Sequence, residues 1–249
     1  MKLQKSSVKT WVVLSDIQIP FEDTPVLSTV VEFIQELKPH GVVLNGDIID
    51  AYELSTYDKN PLTRAGLDIE IAKASELMTT LAKSTTTRIW LGGNHEDRLR
   101  RYLWKNAPAL RLDAVTEFDR LFQVKAHGFV WKPYGEFVQL GKLLVTHGSV
   151  VSKHSGWTAK AHFDKYGKSV LVGHSHRQGA YYRTNLYGVH VAYENGCLCR
   201  LDPEYVQLPD WQQGFSVVHV HGNGYFSAQQ IPILDGLFYY GSECYRVKR

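Results

Sequence analysis

Five times along this chain a short apolar run ends abruptly in an aspartate, asparagine or histidine, and that recurrence restricts the fold more than any other feature. Trp11–Leu14 runs into Ser15-Asp16, and Val42–Leu44 into Asn45-Gly46-Asp47. Arg88–Leu91 runs into Gly92-Gly93-Asn94-His95, Leu143–Val145 into Thr146-His147-Gly148, and Val170–Val172 into Gly173-His174-Ser175-His176. Brief runs without polar alternation suit strands buried on both faces. Helical signals separate them. Asp23-Thr24-Pro25 offers a capping side chain with proline just inside the helix, and Leu27, Val30, Val31, Ile34 and Leu37 follow at helical spacing. Pro39-His40-Gly41 ends that helix, and Leu67, Ile71, Ala74, Leu77, Met78 and Leu81 form a second stripe. Alternating strands and helices predict an α/β sheet covered by helices.

The texture changes after Val189. Gly188–Tyr193, Gly214–His221 and Tyr225–Ile233 read as strands, with a hairpin turn at Gly222-Asn223-Gly224. No linker or repeat sets this part aside, so residues 1–249 read as a single domain whose late strands make a second sheet.

Composition excludes several classes. An apolar share of 44% and a charged share of 21% describe an ordinary globular protein. The net charge of +3 tolerates an anionic substrate without demanding one. The first apolar run is too short for a signal peptide or a bilayer span, which predicts a cytoplasmic protein with no membrane partner. Cys197, Cys199 and Cys244 contain no Cys-x-x-Cys pair. A disulfide framework is therefore not expected, a thiolate zinc site would lack ligands, and all three read as buried apolar side chains.

One Asp or His at a strand end has an ordinary explanation in a turn or a cap. Five in succession do not, because loops at the C-terminal ends of α/β strands converge on one crevice. Carboxylate and amide oxygens with imidazoles and no thiolate suit manganese, iron, zinc or nickel. Two such ions about 3.5–4 Å apart grip a phosphate and activate water between them.

In these motifs the chain resembles the calcineurin-like metallophosphoesterase superfamily. That pattern is Asp-x-His, Gly-Asp, Gly-Asn-His-(Asp/Glu), a lone His and Gly-His-x-His. Here it reads Asp16-Ile17-Gln18, Gly46-Asp47, Gly93-Asn94-His95-Glu96, His147-Gly148 and Gly173-His174-Ser175-His176. The resemblance implies an αββα four-layer fold, with two sheets in a sandwich flanked by helices. It also implies a dinuclear centre. Asp16 and His176 would hold one divalent ion, Asn94, His147 and His174 the other, and Asp47 would bridge them, with a metal-bound hydroxide as nucleophile. His95 would act catalytically, stabilising the transition state or protonating the leaving group. Gln18 departs from the pattern by standing where the family has histidine. Either its carbonyl binds the metal or water fills the gap; a neutral oxygen there favours manganese or magnesium over zinc.

Glu96 reads either as a partner supporting the metal ligands from behind or, foremost, as an acid placed for the helix dipole, and Asp50 as a residue that orients its loop. Beyond His95, Arg98, Arg100, Arg101, Lys105 and Arg111 form a basic run without an acid, interleaved with Tyr102 and Trp104. Arg98, Arg101 and Lys105 share a helical face, which is either a nucleic-acid contact or a solvated surface. His154 is a further phosphate contact candidate, with Trp157 placed to stack. Ser155 reads as a helix cap. Trp211-Gln212-Gln213-Gly214-Phe215 suggests no mechanism. The expected substrate is a phosphodiester, foremost DNA, as for DNA-repair nucleases of bacteria and phages. The alternatives are a phosphomonoesterase and, less in keeping with the retained motif, a metal-depleted binding scaffold.

Overall fold

The structure, a computed structural model, describes residues 7–63, 65–109, 117–204 and 206–248. Arg111 of the basic run lies outside the described residues. A six-stranded sheet has the order β11-β10-β1-β2-β3-β4: β1 Val8–Leu14, β2 Gly41–Asn45, β3 Thr87–Leu91, β4 Val130–Lys132, β10 Gly214–His221 and β11 Phe226–Pro232. A five-stranded sheet has the order β5-β6-β7-β9-β8: β5 Val138–Leu140, β6 Leu143–Thr146, β7 Val170–Val172, β8 Gln178–Asn185 and β9 Gly188–Asn195. A small hairpin joins β12 (Leu237–Tyr240) to β13 (Glu243–Arg246). The helices are α1 (Thr24–Leu37), α2 (Leu67–Ala82), α3 (Asp97–Asn106), the single turn α4 (Phe118–Leu121) and α5 (Trp157–Tyr166).

Strand alternation sorts the core into three slabs and hence the protein into four layers. In β1, Val12 and Leu14 face a slab that includes Val26, Val30, Phe33 and Ile34 of α1 and Leu77, Met78 and Leu81 of α2. Their neighbours Trp11 and Val13 face the opposite way, onto Leu143, Val145 and Leu171 of the second sheet. The even residues of the second sheet, Leu144, Val170, Val172 and Ala192, pack on Ala159 and Phe163 of α5. Helices, sheet, sheet, helix is the expected αββα order. It explains why the motif strands lack polar alternation: both of their faces are interior.

Asp23 caps α1 as read, its Oδ1 accepting from Val26 N at 3.2 Å. The late strands correct the expectation. They do not make a sheet of their own. β9 enters the second sheet beside β7, whereas β10 runs antiparallel to β1 and carries β11 with it onto the first. The 222–224 turn does join β10 to β11, with Val220 opposite Phe226. Local periodicity identifies strands but does not encode which distant edge they complete. No helix of the described residues is long and apolar enough to cross a membrane.

Candidate metal centre

β1, β2, β3, β6 and β7 all end at one rim, and their terminal loops are laced together by backbone hydrogen bonds. Asp16 N donates to Gly46 O at 3.0 Å, Gln18 N to Asp47 O at 2.9 Å, and Gly173 N to His147 O at 3.0 Å. Asp16, Gln18, Asp47, His174 and His176 all have φ between 50° and 69°, a left-handed region that non-glycine residues avoid. Unfavourable backbone concentrated on the residues singled out by motif is a signature of a functional site. Two motif glycines are required by space. A Cβ on Gly93 would overlap the Asp47 carboxylate, and one on Gly46, at φ +80°, would enter the His147 ring.

Asp47, His147 and His174 bring one donor atom each to within 4.8 Å of one another. His147 Nδ1 lies 2.8 Å from Asn45 O, so it carries the hydrogen and leaves Nε2 as the lone-pair atom of the neutral ring. That Nε2 faces Asp47 Oδ2 at 3.2 Å and Asn94 Oδ1 at 3.2 Å. Three acceptors pointing at one another, two of them on buried residues, need a positive charge among them. Without a metal a proton serves. Burial pushes the His147 pKa down, but Asp47, Asp16 and the Asn45 carbonyl outweigh it and raise it to about 9. His174, its ring centroid 5.1 Å from that of His147, is driven down to about 4 by burial and by His147. The donor set thus fits a divalent ion.

On the other side, Asp16 accepts from His174 N at 3.0 Å, and its Oδ1 lies 3.3 Å from His176 Nε2. Gln18 Nε2 is 3.1 Å from the same histidine nitrogen, so the departing residue points its amide into the group. All seven metal candidates are therefore gathered at the rim, around Asp47 or around the His176 ring.

His95 is buried against Asp47 and Asp50. Its N–H donates to Asp47 Oδ1 at 2.9 Å, its Nδ1 meets Asp50 O at 2.9 Å, and Nε2 lies 3.6 Å from Asp47 Oδ2. Burial lowers its pKa, yet Asp47 and Asp50 prevail and the net shift is upward. Arg98 Nη2 donates towards His95 Nε2 at 3.0 Å, while Arg98 Nη1 binds Asp50. Arg98 is thus turned in towards His95, apart from its expected companions. Arg101 is 65% exposed at its side chain and pairs with Asp97 at 2.7 Å, and Lys105 is exposed. Tyr102 and Trp104 are exposed too, with Arg100 over the Trp104 ring at 4.6 Å. His154 is exposed and packs edge-on to Trp157, ring centroids 5.3 Å apart.

Several residues play parts that the sequence left undefined or assigned otherwise. Glu96 is no solvent-facing dipole acid. It is 3% exposed and accepts from Asp47 N at 2.9 Å, Ile48 N at 2.8 Å, Gly93 N at 2.6 Å and Trp90 Nε1 at 3.3 Å. One carboxylate thereby ties the end of β2 to the end of β3. Its pKa is pushed up by burial and by Asp47. Ser155 does not cap α5. Gly156 sits at the N-cap, and buried Glu194 accepts from Thr158 N at 3.1 Å and from Ser175 Oγ at 2.7 Å, linking the helix to the Gly-His-x-His loop. Trp211 packs on His176 with ring centroids 4.2 Å apart, and Gln212 N donates to His176 O. Tyr134 approaches His147 at 6.5 Å between centroids. Cys197 and Cys199 are buried as expected, but Cys244 is exposed because its hairpin lies at the surface. The motif marked Glu96 without indicating that it clamps β2 to β3, and nothing local marked Glu194 or Trp211, whose contacts span long sequence separations.

A model of the calcineurin-like phosphoesterase family matches residues 10–204. The chain is 34% identical over 247 residues to the gene 54 protein of Mycobacterium phage D29, covering 92% of this chain and 96% of the relative. It is 31% identical over 248 residues to the gene 54 protein of Mycobacterium phage L5, with the same two shares. Among solved structures it resembles vacuolar protein sorting 29 from Cryptosporidium parvum in fold, at TM-score 0.51 and 13% identity, covering 96% of this chain and 98% of that one.

Proposed function

From the premise that this chain belongs to the calcineurin-like phosphoesterase family, and is therefore a metal-dependent hydrolase of phosphoesters, we propose that it cleaves phosphodiesters at a two-ion centre and that DNA is its substrate. The observation that carries this reading is the convergence of Asp47 Oδ2, Asn94 Oδ1 and His147 Nε2 with no donor among them in the neutral state. Asp16, Gln18 and His176 would hold one ion and Asn94, His147 and His174 the other, with Asp47 shared. Manganese suits the oxygen-rich first group best. When bound, such ions polarise the phosphoryl group and lower the pKa of water.

The chain's own residues supply the rest. His95 Nε2, beside Asp47, is the group that gives a proton to the leaving oxygen. It can carry that proton only when Arg98 moves off it, and an arriving phosphate is the natural anion to draw the guanidinium away. Arg101, Lys105 and Trp104, exposed on the helix that begins just after His95, offer charge and a stacking face to a nucleic-acid backbone. His154 and Trp157, exposed at the start of α5, would offer a second such contact.

Digestion of labelled single- and double-stranded DNA with manganese present, beside bis-p-nitrophenyl phosphate and p-nitrophenyl phosphate, tests the proposal. Expected are DNA cleavage, preference for the diester, and loss of both in His95→Ala with metal content intact. A strong preference for the monoester would replace the nuclease reading with a phosphatase.

A further inference from the structure

His176 is a two-faced ring. Its Nε2 looks toward Asp16 and Gln18, and its Nδ1 looks away from them, to Cys199 Sγ at 3.9 Å. Cys197 completes a trio whose donor atoms all lie within 4.8 Å of one another. We propose that Cys197, Cys199 and the Nδ1 face of His176 form a separate site for a soft divalent cation, zinc or cadmium, which competes with the carboxylate side for this histidine. Neither cysteine belongs to the phosphoesterase motifs, and their Cys-x-Cys spacing alone offers too few ligands. The missing donor comes from the other end of the β8–β9 hairpin.

The geometry is close to what such an ion needs. Metal–sulfur bonds of about 2.3 Å and metal–nitrogen bonds of about 2.0 Å, at tetrahedral angles, set sulfur and nitrogen roughly 3.5 Å apart. For Cys199 and His176 the observed 3.9 Å requires a contraction of only a few tenths of an ångström, and the Cys197 thiol lies within 4.8 Å of both. The cysteines alternate along extended chain, so both thiols fall on one side while Leu198 between them enters the helix-side core. Their backbone is pinned: Leu198 N donates to Asp16 O at 3.1 Å, Cys197 N to Gln212 O at 3.1 Å, and Gln213 Nε2 to Cys199 O at 3.0 Å. Cys197 is 0%, Cys199 1% and His176 6% exposed, so the trio is shielded from bulk solvent. A divalent ion with two thiolates and a neutral imidazole has no net charge, which makes this burial tolerable once the two thiol protons have left to solvent. Carboxylate-seeking manganese or magnesium would have no affinity for it. One neutral imidazole serves one cation at a time, so an ion on the sulfur face weakens binding on the other.

The site stands whether or not the two-ion reading does; only the inhibition rests on it. Cadmium alone is added to the full, metal-free chain and followed by sulfur-to-cadmium charge-transfer absorption and by cadmium NMR. One equivalent is expected to bind with a shift characteristic of sulfur ligands. The absorption should vanish in Cys197→Ala and in Cys199→Ala and persist in Cys244→Ala. Cadmium in wild type without sulfur ligands overturns the site, as does an absorption that follows Cys244; the wild-type NMR decides even if a variant fails to fold. One equivalent of cadmium should also slow manganese-dependent hydrolysis of bis-p-nitrophenyl phosphate by about tenfold. Sulfur-bound cadmium with undiminished hydrolysis would overturn the competition, and no manganese-dependent hydrolysis at all would instead overturn the two-ion reading.

Discussion

The two sides of the candidate centre are built from different materials. Around Asp47 charged side chains and backbone polar groups predominate, with the Asn94 amide and the His174 ring beside them. Glu96 gathers four N–H donors, His95 N and His147 Nε2 hold the carboxylate, and Asn45 O fixes the His147 tautomer. Around His176 one carboxylate, Asp16, is accompanied by three uncharged groups, the Gln18 amide, the Cys199 thiol and the Trp211 indole. On the first side each group completes another group's bonding, so replacing one strands several buried partners. On the second, the contacts are softer and fewer, and a substitution has room to be absorbed. The departure from the family pattern, Gln18, falls on the side that can tolerate one.

The most severe way to test this asymmetry is Asp47→Asn. It removes the charge proposed to be shared by the two ions, and kcat/KM is expected to fall about a thousandfold or more, with metal content measured in parallel. Activity within tenfold of wild type would break the comparison at its centre. Glu96→Ala leaves four buried donors without an acceptor and should cost roughly 3–5 kcal/mol in urea unfolding. A loss under about 1 kcal/mol would mean that the clamp between β2 and β3 is decorative.

A third test uses pH. The raised pKa of His147, about 9, means that the metal-free protein keeps a proton on this ring across the neutral range, and an incoming ion must displace it. Metal affinity should therefore rise with pH, by up to about tenfold per unit from pH 7, and level off above about 9. Manganese titrations at several pH values would show it; a flat profile would remove His147 from the ligand set. The smallest effect is expected on the soft side. Gln18→His should strengthen binding of the weaker ion by about tenfold and Gln18→Ala weaken it by no more than that. A Gln18→Ala variant as damaged as Asp47→Asn would erase the distinction between the sides.

What was legible in the chain follows the range of the forces involved. The Asp23 cap and the α1 and α2 stripes are local, and they formed where the spacing put them. The motif residues were legible because each marks the end of an apolar run, and strand ends in layered α/β folds share a rim. Glu96, by contrast, sits where an ordinary helix acid would sit, and only the folded chain brings Asp47 N and Ile48 N to it. The same holds for Glu194 as the cap of α5 and for Cys199 behind His176. Arg98 shares a helical face with Arg101 and Lys105 on paper, but buried Asp50 draws it inward.

The pairing of β10 with β1 has a practical consequence. Every motif residue precedes residue 204, where the family match stops, which invites the design of a shorter enzyme ending there. Such a fragment would forfeit the indole against His176 and strip one flank of β1 from Val8 to Val13, leaving a ribbon of unsatisfied amides and carbonyls. Exposed ribbons of that kind recruit other chains, so the trimmed protein should precipitate instead of working in miniature.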